Sequence, residues 1–152
     1  MTAKQAPEGY EGAIPYLCVR GGAAAIEFYE RAFSARTQLT LVMPDGRIGH
    51  AELTIGPARF MLSDEFPDFD TLSPLTIGGA SVMVHLYVAD VDAFVLQAAQ
   101  AGARVLRAAE DHFYGDRAAK LEDPYGHRWY VATRKEDVSP QEMQRRVNAM
   151  FG

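Results

Sequence analysis

A chain of 152 residues, 48% of them hydrophobic, is long and apolar enough to bury one core of ordinary domain size. Its net charge of −5, with acids and bases interspersed, offers no basic stripe for nucleic acid or an anionic membrane surface. One cysteine, Cys18, excludes an internal disulfide, and no apolar run approaches the ~20 residues of a membrane helix. With a polar start over 1–11 that lacks a leader's apolar stretch, these features predict a cytoplasmic protein.

Residues 1–12, polar and carrying Pro7, Gly9 and Gly12, predict a loose arm. Ala13–Val19 reads as a strand whose Pro15, lacking an N–H, belongs at its start or edge. Gly21-Gly22 break it, and Ala23–Phe33 follows as a helix with Ile26, Tyr29 and Phe33 on one face. Gln38–Met43 is a strand and Pro44-Asp45-Gly46 a turn. Ile48–Ile55 then alternates Ala51, Leu53 and Ile55 with His50, Glu52 and Thr54, and Ala58–Ser63 closes the set.

Residues 64–80 are acidic and broken by Pro and Gly, a connector long enough to be either a lid or a plain linker. Ser81–Val88 is a strand. Asp90 caps a helix over Val91–Ala101, with Gly102 just past its end. Arg104–Ala108 is a strand and 110–115 a loop. Ala118–Glu122 and His127–Thr133 form a hairpin around Asp123-Pro124-Tyr125-Gly126, where Pro and Gly stand as a type I turn favours. Ser139-Pro140-Gln141-Glu142 is a capping box opening a helix to about Met150, which docks on the body or on a second subunit.

Adding 69 to a residue number in the first half brings up similar residues in the second. Arg59, Phe60, Met61 and Leu62 meet Arg128, Trp129, Tyr130 and Val131, and Leu17 and Val19 meet Leu86 and Val88. In the third strand the alternation favours an offset of 68, which sets Lys120 against Glu52. The expected fold is therefore α+β: one domain, 1–152, of two βαβββ modules (13–63 and 81–134) forming a curled mixed-sheet groove. The connector is 64–80, and 135–152 carries the C-terminal helix.

Ile14-Pro15-Tyr16-Leu17, Leu62-Ser63-Asp64-Glu65-Phe66-Pro67, His85-Leu86-Tyr87-Val88, Tyr114-Gly115-Asp116-Arg117, Asp123–Trp129 and Val138-Ser139-Pro140 occur in this order. Together they resemble the vicinal-oxygen-chelate superfamily of glyoxalases, extradiol dioxygenases and bleomycin-binding resistance proteins, most closely its PhnB-like branch. The resemblance implies that each module's strands curl into a groove with the helix on the convex side. It also implies that paired modules make a cleft and that the chain forms a homodimer. In metal-using members each module gives one ligand from its first strand and one from its last. Here those positions fall at Ile14, Met61, Met83 and Tyr130. An alkyl group, two thioethers and a neutral phenol suit no Ni, Fe(II), Mn or Mg ion, so the expectation is a retained fold, a degenerate metal site and no cofactor.

Alternation selects the side chains that share the groove with those positions, and the candidate ligand-binding set is Tyr16, His50, Glu52, Arg59, Met61, Met83, His85, Tyr87 and Tyr130. His85 leads, since a side chain with an ordinary pKa of about 6.5 suits ligand contact or proton transfer; a structural histidine between strands is the alternative. His50 and Glu52 could join His85 in a replacement metal site, and Glu52 with Arg59 reads as a strand-to-strand ion pair rather than a clamp. His112 and His127 read as solvated loop residues, Cys18 as a small buried residue, and Trp129 as core against a helix. The leading reading is a metal-free module binding a small, partly aromatic molecule. The alternatives are a lyase or dioxygenase-type enzyme, metal-dependent or using His85 and Glu52 as acid and base, and an assembly protein whose groove its own side chains fill.

Overall fold

The computed structural model describes residue 2 and residues 4–152. The chain runs β1 (Tyr16–Val19), α1 (Gly22–Phe33), β2 (Arg36–Val42), β3 (Ile48–Ile55), β4 (Ala58–Asp64), α2 (Pro74–Ile77), β5 (Met83–Tyr87), α3 (Val91–Ala101), β6 (Arg104–Asp111), β7 (Asp116–Glu122), β8 (Arg128–Arg134) and α4 (Pro140–Phe151). Two four-stranded sheets result, ordered β1-β4-β3-β2 and β5-β8-β7-β6. Each has one parallel pair, its first strand against its last, and two antiparallel pairs.

The two registers superimpose. Tyr16 lies opposite Met61, and Met61 opposite Glu52; in the second sheet His85 lies opposite Tyr130, and Tyr130 opposite Lys120. The first and last strands thus keep the offset of 69 while the third strand keeps 68. The difference falls in the β3–β4 connection. Gly56 at φ +55 followed by Pro57 makes a tight link with the sign pattern of a type II′ turn, whereas β7 and β8 are joined through Asp123–His127. The same turn recurs at Met43–Arg47, His112–Asp116 and Asp123–His127. In each, the first N–H reaches the last carbonyl and a positive-φ glycine (Gly46, Gly115, Gly126) donates back to the first carbonyl.

The inner sheet faces and helices α1 and α3 share one core. Ala25, Phe28, Tyr29, Ala32 and Phe33 of α1 are buried in it, with Ile26 only packed against the rim. Phe33 stacks on Phe94 of α3 at 5.0 Å, and Trp129 of the second sheet stands edge-on to Phe33 at 4.8 Å and to Phe60 of the first sheet at 5.6 Å. Trp129 is indeed core, and the helix it meets belongs to the other module. Buried Asp123 completes the joint: one oxygen accepts from the Tyr29 hydroxyl (2.6 Å) and the Trp129 indole (2.9 Å), the other from Tyr125 and His127 N–H.

Several boundaries differ from expectation for local reasons. β1 begins at Tyr16, because Pro15 can give the ladder only its carbonyl, which accepts from Met61 N–H at 2.9 Å. β6 runs on to Asp111, since Glu110 and Asp111 pair with Ala118 and Arg117 across a bulged ladder. The connector is structured: residues 67–69 form a 3₁₀ turn, α2 follows, and Glu65 ties them down by accepting from Ser73 N–H and the Thr76 hydroxyl. Ser139 caps α4 by accepting from Glu142 N–H, but the Glu142 side chain turns to Arg145 and Arg146 rather than back to the cap. Met150 and Phe151 at the end of α4 are exposed.

Candidate functional site

The outer sheet faces, opposite the core, carry the nine candidate side chains, and the structure sorts them into two clusters. On the first sheet a hydrogen-bonded chain crosses the strands. The Tyr16 hydroxyl meets His50 Nδ1 at 2.7 Å, and His50 Nε2 meets Glu52 Oε1 at 3.1 Å. A carboxylate beside Nε2 keeps a proton there, so Nδ1 is left to accept from Tyr16. Arg59 Nη1 lies 3.6 Å from Glu52 Oε2, and Met61 stands between Tyr16 and Glu52 in the ladder. Leu39 and Leu41 of the exposed strand β2, opposite Glu52 and His50, extend this face with apolar surface.

Glu52 is buried, yet its carboxyl is held below the ordinary range, by the hydrogen bond from Tyr10 first and that from His50 second. Tyr16 is half exposed, and the desolvation of its hydroxyl raises its pKa, so it keeps its proton at neutral pH. Cys18 is pushed up to about 11 by burial and stays a thiol.

Tyr10 was absent from the candidate set. Its hydroxyl donates to Glu52 Oε2 and accepts from Arg59 Nη1 at 3.1 Å, while the Arg59 guanidinium lies 4.1 Å over its ring. The arm is therefore docked. The local signal was Pro7-Glu8-Gly9-Tyr10: Tyr10 N–H donates to Pro7 O and Gly9 has φ +83, a type II turn that returns Tyr10 to the sheet.

On the second sheet the face is aromatic. His85 stacks on Tyr87 at 4.9 Å and meets Tyr130 edge-on at 5.1 Å. Tyr130 shares a hydrogen bond with Tyr114, on which His112 lies flat at 5.0 Å and 8°. The Tyr87 hydroxyl donates to buried Asp116, which also pairs with Arg134 at 2.9 Å. Met83, half exposed, pairs in register with Arg128 at the end of this face. Tyr114, His112, Asp116 and Arg134 were not foreseen as site residues. His112 is partly buried, its Nε2 without a hydrogen-bond partner among the described residues and 4.0 Å from Glu110 Oε1, and His127 Nε2–H donates to Cys18 O (2.8 Å) across the module joint; neither is a solvated loop residue.

Among the described residues, no hydrogen bond, ion pair or ring contact joins the two faces. Glu52 and His85, expected as an acid–base pair, stand on different sheets, and the partner of Glu52 is His50. Arg59 and His85 meet only as walls of a crevice of about 260 Å³ at the module joint, otherwise lined mainly by apolar residues such as Pro15, Phe60 and Val84.

The four positions at which the resemblance implies metal ligands offer a poor donor set. Tyr130 at the fourth position is engaged by Tyr114, Met61 lies among Tyr16 and Glu52, and Ile14 has no donor atom. Among the described residues no three His, Cys, Asp or Glu side chains converge on one point. A hard divalent cation does not fit these four positions. No helix among the described residues is long and apolar enough to cross a membrane.

Paired βαβββ modules with open faces define a class of fold, and comparison with known proteins gives the family. The model of the glyoxalase/bleomycin resistance protein/dioxygenase superfamily matches residues 13–131. An uncharacterised protein of Mycobacterium bovis is 39% identical over 133 residues, covering 86% of this chain and 88% of that protein. Among solved structures, TioX from a Micromonospora species superimposes with a TM-score of 0.62 at 26% identity, covering 81% of this chain and 99% of TioX. A PhnB protein from Bacillus cereus gives 0.59 at 18% identity, covering 81% of this chain and 99% of that one, a likeness of fold alone. The chain belongs to the glyoxalase/bleomycin resistance protein/dioxygenase superfamily.

Proposed function

We propose that this protein binds a small, partly aromatic organic molecule on the Tyr16–His50–Glu52–Arg59 face, with no metal, as a cytoplasmic member of the PhnB-like branch. One observation carries the reading: a continuous hydrogen-bonded chain, anchored by a buried carboxylate, ends in a half-exposed tyrosine on the open face of a sheet. A few fixed, convergent polar groups are what orients a small molecule in its site. The site closes when a second copy of the chain lays its aromatic face, with His85, Tyr87, Tyr130 and Met83, over the first. The exposed edge strand β2 and the contrast of Glu52 in one row with Arg107 and Lys120 in the other favour this homodimer. Nucleic acid is not a partner in this reading, for want of a basic stripe.

A second reading draws on the same chain. Glu52, His50 and Tyr16 form a proton path, so a cofactor-free enzyme would use His50, rather than His85, as its base.

The test is an NMR titration of the purified protein with an aromatic fragment library. Binding shifts Tyr16, His50, Glu52 and Arg59, and Glu52→Gln weakens it by roughly tenfold, the worth of one charge-assisted hydrogen bond. A stoichiometric divalent metal, removable by chelator together with an activity, would sink the reading. Light scattering that gave a single-chain mass of 16.7 kDa would remove the dimer.

A further inference from the structure

Resting on that ligand-binding reading, we propose that Tyr10 is a built-in occupant of the Glu52–Arg59 site and that the ligand it stands in for is a phenol. The contacts are those a phenol recognition site would make. A buried carboxylate accepts from the hydroxyl, Arg59 donates to the same oxygen, and the guanidinium covers the ring face. Glu52 needs a donor and Arg59 an acceptor, and a phenolic hydroxyl is both at one atom. An alkyl ether lacks the donor, and a carboxylate would be repelled by Glu52.

The arm fills the site without saturating it. Arg59 Nε is buried and has no hydrogen-bond partner among the described residues while Tyr10 is in place. Tyr10 also reaches the site from an exposed segment held by two short local bonds, Tyr10 N–H to Pro7 O at 3.1 Å and Gly9 N–H to Glu11 Oε2 at 3.1 Å. Positive φ at Gly9 and Gly12 gives the turn the conformations it needs to fold back. Such an arm competes as a tethered ligand at millimolar effective concentration, so a free phenol must displace it. The site is thereby kept covered until a phenol of sufficient affinity arrives.

The experiment uses the full chain and 4-methylphenol, the side chain of tyrosine, with 4-methylanisole and toluene as controls, followed by NMR titration. Tyr10→Ala binds 4-methylphenol about tenfold more tightly than the unaltered protein, because the competent fraction of the site rises toward one. Tyr10→Phe, which keeps the ring and loses the hydroxyl, falls between them. Adding Glu52→Gln to Tyr10→Ala removes the preference for 4-methylphenol over 4-methylanisole. Equal affinity in the unaltered protein and Tyr10→Ala overturns the self-occupancy. Equal binding of 4-methylanisole or toluene to Tyr10→Ala overturns the phenol assignment. If 4-methylphenol fails while an aromatic fragment library still shifts Tyr16, His50 and Arg59, the phenol is wrong and the ligand-binding reading stands. If the library too shifts none of them in Tyr10→Ala, both fall.

Discussion

The two modules share a backbone plan and differ in what they display. Across the inner faces the matched pairs are alike: Leu17 with Leu86, Leu53 with Leu121, Phe60 with Trp129, Leu62 with Val131. Across the outer faces they are not: Tyr16 with His85, Met61 with Tyr130, Glu52 with Lys120, His50 with Ala118. Burial restricts the inner positions to residues that fill space without unpaired polar atoms, whereas the open faces are free to diverge. The first module gained a charged hydrogen-bonded chain and the second a cluster of rings.

The sharpest way to break the matched half of this comparison is at Phe60 and Trp129, both buried and in mutual contact. Each change to Ala should cost about 3–5 kcal/mol in guanidinium unfolding followed by far-UV circular dichroism. A Trp129→Ala chain losing less than about 1 kcal/mol would show that this pair does not play equivalent parts in the core.

The repeated turn offers a smaller contrast. Gly46 and Gly115 occupy the same place in their modules with φ +90 and +98, but a Cβ on Gly46 meets open space while one on Gly115 overlaps the Glu136 carbonyl. Lys135 and Glu136 N–H both donate to Gly115 O, so this turn also anchors the segment leading to α4. Gly46→Ala should cost about 1 kcal/mol, the penalty for a left-handed conformation alone. Gly115→Ala adds a steric clash and should cost about 3 kcal/mol by the same unfolding measurement. Equal costs would mean that the 135–138 segment yields freely.

The smallest effect concerns the arm, which only the first module has. Glu52 faces Tyr10 from the arm, His50 from its own strand and Arg59 from β4. Its lowered pKa means that docking is fully present above the unfolded carboxylate value of about 4.3 and is lost as pH falls through the lower folded value. Tyr10 is shifted the other way, raised chiefly because its hydroxyl donates to Glu52. That contribution is present below the unfolded value of about 10 and is lost as pH rises through the higher folded one. The Tyr10 ring signals should therefore hold their docked shift across the middle of the range and move at both ends. Signals unchanged at the acid end would detach Tyr10 from Glu52.

Local periodicity determined much of this protein from the sequence alone. Strand alternation put His50, Glu52, Arg59, Met61 and Tyr16 on one face, and the ladder places them side by side. The self-match at 69, dropping to 68 in the third strand, foretold the register of both sheets, because side-chain period and turn length leave few other pairings. Ser139 and Asp90 capped the helices expected of them. What lay outside reach was the side-chain contacts between segments that do not pair as strands. Alternation alone places the nine candidate residues in one groove, yet they divide between two faces, because the way sheet meets sheet is set by Trp129, Phe33 and Asp123 packing across modules. His127 found Cys18 O, Tyr10 found Glu52, and Arg20 found Thr76 of the connector, each through bonds between segments whose own patterns say nothing of the partner. A period of two tells which side of a strand a residue faces; only the packed core decides what that side looks toward.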